Sequence, residues 1–138
     1  MNISKTISEG INILKENKIR NPQLDVEILL SRLIGKDKKY LILNPEEVVS
    51  SERLEIFKNL IERRKRGEPV AYLINEKAFW KNVFYVDKDV LIPRPDTGLL
   101  IEKILKIYSN KSQLQILDIG TGSGCIILSL LKERKKDY

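Results

Sequence analysis

The stretch "ILDIGTGSGCIILSLL", residues 116–131, constrains this chain more than any other. The preceding run Leu114–Ile119 is apolar enough to read as a strand buried on both faces. Glycines then stand at alternate positions, Gly120, Gly122 and Gly124. Without Cβ atoms they let the backbone turn sharply and let a ligand approach closely. An apolar helical run follows, and its first turn presents unbonded N–H groups and the positive end of a helix dipole to an anionic group. Asp118, at the end of the strand, offers an acceptor for an ammonium group.

Several cofactors can use such a turn. A P-loop needs a lysine after its last glycine, and Cys125 stands there instead. The dinucleotide fingerprint G-x-G-x-x-G, counted from Gly120, is also broken at Cys125, although that pattern tolerates small residues. An acid followed by G-x-G-x-G suits S-adenosyl-L-methionine, which has no pyrophosphate to cradle and presents a carboxylate, an ammonium group, a sulfonium and an adenosine. A tight strand-to-helix turn without any ligand also remains open. Cys125 reads as a small packed residue, not a nucleophile.

The first half of the chain reads as helices. Ile3, Ile7, Ile11 and Leu14 recur at helical spacing. Asn21 is an expected N-cap with Pro22 at the first helical position, Leu24, Ile28, Leu29, Leu33 and Ile34 form the apolar side, and Gly35 is a stop. Lys39–Leu43 suits a further turn or two. Ser50 or Ser51 caps a longer helix with Leu54, Phe57, Leu60 and Ile61 on its inner face, ended by Gly67 and Pro69. Short amphipathic helices need neighbours to bury their stripes, so a small bundle is expected. From Pro69 onward the runs "AYLI", "AFWK", "VFYV" and "VLIP" are β-branched and aromatic, which predicts strands, with Lys81-Asn82 as a hairpin turn. Asp96 or Thr97 is an expected cap for a helix carrying Leu100, Ile101, Ile104, Leu105 and Tyr108.

Charge and composition narrow the function. The 138 residues carry a net charge of +6, divided evenly as +3 in residues 1–70 and +3 in residues 71–138. Arg63–Arg66 is the densest basic cluster, but aromatic interleaving is missing, so a solvated last helical turn is favoured and no direct nucleic-acid contact is expected. The chain has no histidine and one cysteine, which removes the usual zinc ligands and the commonest general base, so no metal is expected. No apolar run approaches a membrane span and no secretory signal opens the sequence, so no membrane association is expected. The single cysteine fits a reducing compartment, and the expected location is cytoplasmic.

Three further motifs carry a resemblance. "GEPVAYL" (67–73), "LIPRPDT" (91–97) and "LDIGTGSG" (117–124), with "LDVEILLSRLIGK" (24–36) ahead of them, make the chain similar to the release factor glutamine methyltransferases, the PrmC/HemK family, across nearly its whole length and in order. The resemblance implies methyl transfer from S-adenosyl-L-methionine to the glutamine amide nitrogen in the Gly-Gly-Gln motif of peptide chain release factors. It implies an α+β chain: a small α-helical bundle over residues 1–68 that recognises the release factor, a β-hairpin linker over 69–95, and the start of a Rossmann-like methyltransferase domain over 96–138. Asp118, Gly120, Thr121, Gly122, Ser123 and Gly124 are the cofactor residues it implies, with Arg94, Pro95 and Thr97 in a loop on the cofactor side that serves binding or only shapes the hinge. The family pattern reads PRP(E/D)TE, and Gly98 replaces its last acid here, at a cost of up to about 1 kcal/mol relative to alanine in a helical turn.

Two parts of such a site are not found. An acid some 20 residues beyond the glycine turn, which would bind the ribose, falls at or past Tyr138. The Asn-Pro-Pro-Tyr motif that grips the substrate amide is also missing: Asn-Pro occurs at Asn21-Pro22 and Asn44-Pro45, followed by Gln23 and Glu46. No catalytic residue is therefore assigned. The expectation is the front portion of a methyltransferase, inactive alone, with a separate chain as one source of the other half. The alternatives are a non-catalytic release-factor-binding module and a fragment of a nicotinamide-dependent oxidoreductase.

Overall fold

The computed structural model describes residues 1–134. The chain divides into two compact units, Met1–Ile74 and Asn75–Tyr138. The first holds α1 (Ile3–Glu16), α2 (Pro22–Ile34), α3 (Lys38–Leu43), α4 (Ser51–Lys65) and α5 (Val70–Leu73). The second holds the antiparallel pair β1 (Glu76–Phe79) and β2 (Asn82–Tyr85), a 3₁₀ turn at Pro95–Thr97, α6 (Gly98–Ile107) and α7 (Cys125–Glu133). The described residues are thus helical with one hairpin, an α+β composition as expected.

In the first unit α1, α2 and α4 pack pairwise around Ile3, Leu14, Val26, Leu29, Phe57 and Ile61, all almost fully buried. The caps follow the sequence in part. Asn2 Oδ1 accepts from the Lys5 amide at 2.9 Å, Asp37 Oδ1 from the Tyr40 amide at 2.9 Å, and Ser50 Oγ from the Arg53 amide at 3.4 Å. Asn21 makes no side-chain cap; Pro22 alone starts α2, and Gly35 ends it in the left-handed region at φ 77°. The loop after α3 straps the start of α1, with the Ile3 amide donating to the Glu47 carbonyl and the Val49 amide to the Met1 carbonyl, each at 2.9 Å.

The Arg63–Arg66 cluster is largely absorbed within this unit. Arg64 Nε donates to Asp25 Oδ2 at 2.8 Å, joining α4 to α2 in a mostly buried pair. Arg63 pairs with Glu68, and Lys65 reaches Glu62. "AYLI" is a correction: Val70–Leu73 is a helical turn begun by Pro69 and packed on α2 and α4, so tertiary packing overrides its strand-like composition.

In the second unit the hairpin register pairs Lys77 with Phe84 and Phe79 with Asn82. Phe79 and Phe84 are therefore diagonal neighbours on one face, with ring centroids 6.2 Å apart in an edge-on arrangement. They share a small core with Ile101, Cys125 and Leu130, while Val83 and Tyr85 point outward. The turn is Trp80-Lys81, one residue earlier than expected, and Trp80 takes φ 54°. "VLIP" forms no strand, and Thr97 stands at the N-cap of α6 as one of the two expected positions but makes no side-chain capping bond, the helix continuing from the 3₁₀ turn.

The largest correction concerns Leu114–Ile119. This run forms no strand, and Leu117 and Ile119 are 84% and 87% exposed. A parallel strand needs neighbours to complete its hydrogen bonds and cover its faces. Among the described residues the strand pairing is confined to β1–β2 and an isolated Asn2–Val48 bridge, so the run has no ladder.

Glu27 gives the helical unit a pH dependence. Burial would raise its pKa, but the Lys38 ammonium, 2.6 Å away, and the Gln23 amide outweigh that and hold the carboxyl below its ordinary value. A lowered folded-state pKa contributes stability that is complete above the ordinary carboxylate range and is lost as pH falls through the folded value. Thermal melts of wild type and Glu27→Gln should differ by a few degrees at pH 7, and the gap should close on acidification below about pH 4. A gap that widens in acid would contradict the pairing.

Candidate functional site

The glycine turn is built by local bonds. Thr121 Oγ1 donates to the Asp118 carbonyl at 2.9 Å, and the Gly124 amide donates to the Thr121 carbonyl at 2.9 Å. Gly120, Gly122 and Gly124 all take positive φ, 78°, 57° and 76°, where any other residue would be strained. At Gly120 a Cβ would meet nothing within 4 Å, so the turn's outer side is open. Gly124 stands at the N-cap position of α7, whose first-turn amides have no acceptor within the helix.

Two side-chain oxygens here are buried and unpartnered: Asp118 Oδ2 and Ser123 Oγ. An acceptor and a hydroxyl left without partners beside a helix N-terminus are what a zwitterionic amino-acid group requires. Asp118 can take an ammonium; Ser123 and the first amides of α7 can donate to a carboxylate. The residues present thus fit the methionine end of S-adenosyl-L-methionine. Cys125 is 8% exposed and belongs to the small core, in keeping with a packed residue.

Of Arg94, Pro95 and Thr97, only Pro95 is on the wall of another concavity. The Thr97 amide bonds the Arg94 carbonyl at 3.1 Å, closing the 3₁₀ turn. Pro93, Pro95 and Gly98 line a cavity of about 420 Å³ together with Phe79 and Trp80. A Cβ at Gly98 would lie 3.5 Å from the Trp80 ring, an ordinary contact, so the space there would admit a side chain.

What locks that indole lies far along the chain, with no local signal to mark it. Trp80 Nε1 donates to Glu133 Oε1 at 2.8 Å and Lys81 Nζ to Glu133 Oε2 at 2.9 Å, while Lys132 Nζ reaches Asn82 Oδ1 at 2.6 Å. The last turn of α7 therefore clamps the hairpin turn. Arg134 donates to the Tyr108 and Lys111 carbonyls and ties α7 to the end of α6. The Lys81 ammonium, and then the Trp80 indole N–H, hold the Glu133 carboxyl below its ordinary pKa.

The PrmC N-terminal domain family model matches residues 5–74. The chain belongs to the PrmC N-terminal domain family. Among its relatives, the release factor glutamine methyltransferase of Buchnera aphidicola subsp. Schizaphis graminum is 43% identical, over 94% of this chain and 46% of its own length. That of Caulobacter vibrioides is 36% identical, over 88% of this chain and 42% of its own. The bifunctional methyltransferase of Rickettsia bellii is 38% identical, over 95% of this chain and 28% of its own. The chain thus spans less than half the length of these relatives. Among the described residues no helix is long and apolar enough to cross a membrane, and no group of three or more potential metal ligands occurs.

The clamp has a clean optical readout, because Trp80 is the chain's one tryptophan. Glu133→Ala should shift its fluorescence emission to longer wavelength at pH 7. Wild type should show the same shift only on acidification below the ordinary glutamate range. Identical spectra for variant and wild type at pH 7 would show that the indole is held by something else.

Proposed function

We propose that this chain carries the recognition domain, hairpin linker and first cofactor-binding unit of an S-adenosyl-L-methionine-dependent methyltransferase acting on the Gly-Gly-Gln glutamine of peptide chain release factors. The domains we assign are 1–68, 69–95 and 96–138. The observation that carries the reading is the pairing of unpartnered Asp118 Oδ2 and Ser123 Oγ with the N-terminus of α7. The names of the relatives supply the reaction class.

In this reading Asp118 holds the ammonium group of the donor, and Ser123 with the α7 amides holds its carboxylate. Gly120 and Gly122 leave space for the donor's approach, and Thr121 fixes the turn through its bond to the Asp118 carbonyl. Arg94, Pro95 and Thr97 shape the loop ahead of α6. When bound, the donor supplies an electrophilic methyl group on sulfonium. An amide nitrogen is a weak nucleophile, so most of the catalysis lies in aligning it. No residue of this chain is assigned that task, so turnover by the chain alone should be negligible.

A second reading, a release-factor-binding module that transfers nothing, is favoured by the exposure of Leu117 and Ile119 beside the turn. Isothermal titration with S-adenosyl-L-methionine separates the two. The methyltransferase reading expects saturable binding, weakened at least tenfold by Asp118→Ala or Gly122→Val. Absence of heat with a release factor still bound would favour the module. Binding of a nicotinamide cofactor in place of the methyl donor would overturn both.

A further inference from the structure

Helix α2 is apolar on two faces, and the bundle core uses one of them. Val26, Leu29 and Leu30 are completely buried against α1 and α4. On another face Leu24, Ile28, Ser31 and Gly35 follow one another at helical spacing, and all four line a cavity of about 520 Å³ closed on one side by Ile74. Leu24 is 49% exposed there, and Ser31 Oγ lies buried without a partner. A helix that keeps a second apolar stripe after its core is complete has surface left for another molecule.

The rim of this cavity is cationic. Arg32, Lys36 and Lys38 line it, and Lys39 stands exposed beside them at the start of α3. The acids nearby are engaged: Glu27 pairs with Lys38, and Asp37 caps α3. Lys36 lies over the Tyr40 ring, 5.2 Å from its centroid, and leaves its charge at the rim; Arg63–Lys65, denser in sequence, pair with Glu68, Asp25 and Glu62. The face also extends past the Glu27–Lys38 pair. A smaller cavity of about 190 Å³ lies there, lined by Ile7, Leu41, Ile42 and Pro45 among others, with Ile42 65% exposed.

We propose that the corner between α2 and α3 is the docking face of the helical unit, seating an acidic segment of the partner protein with an apolar side chain placed on Leu24, Ile28 and Ile74. The partner's carboxylates meet Lys36 and Lys39, and a polar group of its backbone satisfies Ser31 Oγ. Desolvated apolar contact at the floor supplies affinity, and the cationic rim supplies orientation and a faster, salt-sensitive encounter. This rests on the reading of residues 1–68 as the recognition domain.

The test is fluorescence anisotropy of the full chain with three probes: a purified bacterial release factor, a blocked twelve-residue peptide of aspartate, glutamate and leucine, and a single-stranded RNA of equal length. The release factor and the acidic peptide should both bind. Both should be weakened tenfold or more by Lys36→Glu with Lys39→Glu, and by Leu24→Asp alone. Lys5→Glu with Lys58→Glu, which changes the net charge equally at exposed positions elsewhere on the unit, should leave both within twofold. Circular dichroism confirms that each variant keeps its helices. A bound release factor indifferent to the first two variants would overturn the docking face while leaving the proposed function intact. Failure of the acidic peptide to bind would overturn the chemistry assigned to the partner. RNA bound through the same lysines would replace the protein segment with a nucleic acid.

Discussion

Gly10 fixes how closely the helices of the first unit approach. A Cβ at that position would stand 3.0 Å from one methyl of Val26 and 3.1 Å from the Phe57 ring, tighter than ordinary van der Waals contact. The missing side chain lets α1 settle against α2 and α4 together, and the buried core forms around that contact. The Arg64–Asp25 pair then ties α4 to α2. Removing one partner of such a pair would strand a largely desolvated charge, which makes it a register device more than a source of net stability. Everything on the outside of this unit, including the cavity at the α2–α3 corner, is placed by that close approach.

The second unit is governed by the opposite circumstance. Its small core is closed by Phe79, Phe84 and Ile101, and the Trp80–Glu133 clamp holds the hairpin turn to α7. The glycine turn nevertheless follows a segment whose apolar side chains face solvent. Covering a side chain such as Leu117 or Ile119 is worth about 1.5–3 kcal/mol each. The turn keeps its local bonds through Thr121 and Gly124, so its shape is set by the sequence of the turn itself and not by a surrounding sheet. That is why the turn carrying the buried, unpartnered oxygens of Asp118 and Ser123 keeps its shape beside a strand sequence without a ladder.

Local signals were legible in the sequence and long-range ones were not. Pro22, Gly35 and Ser50 marked helix ends because caps and stops act within a turn of the chain. The glycine turn was legible because positive φ at Gly120, Gly122 and Gly124 is a property of those residues alone. "AYLI", residues 71–74, has a composition that favours strands, while its neighbours α2 and α4 impose the helical turn Val70–Leu73. The run 114–119 has the pattern of a buried strand, but a strand is a relation between segments, and pattern cannot supply the second one. Trp80 and Glu133 meet across 53 positions, with no short-range signal to announce them. The second stripe of α2 could have been found from the spacing of Leu24, Ile28, Ser31 and Gly35; it was hidden because Leu24 and Ile28 read as core residues.

The chain divides into a helical unit that completes its own core and a unit with a glycine turn whose preceding strand sequence lacks a ladder. Amide hydrogen exchange of the purified chain tests that division residue by residue. Amides in the middle of α1, α2 and α4 should be strongly protected and exchange together, while those of Ile116, Leu117 and Ile119 should exchange at close to the rate of an unstructured peptide. Protection of the 116–119 amides comparable to that of α2 would contradict it.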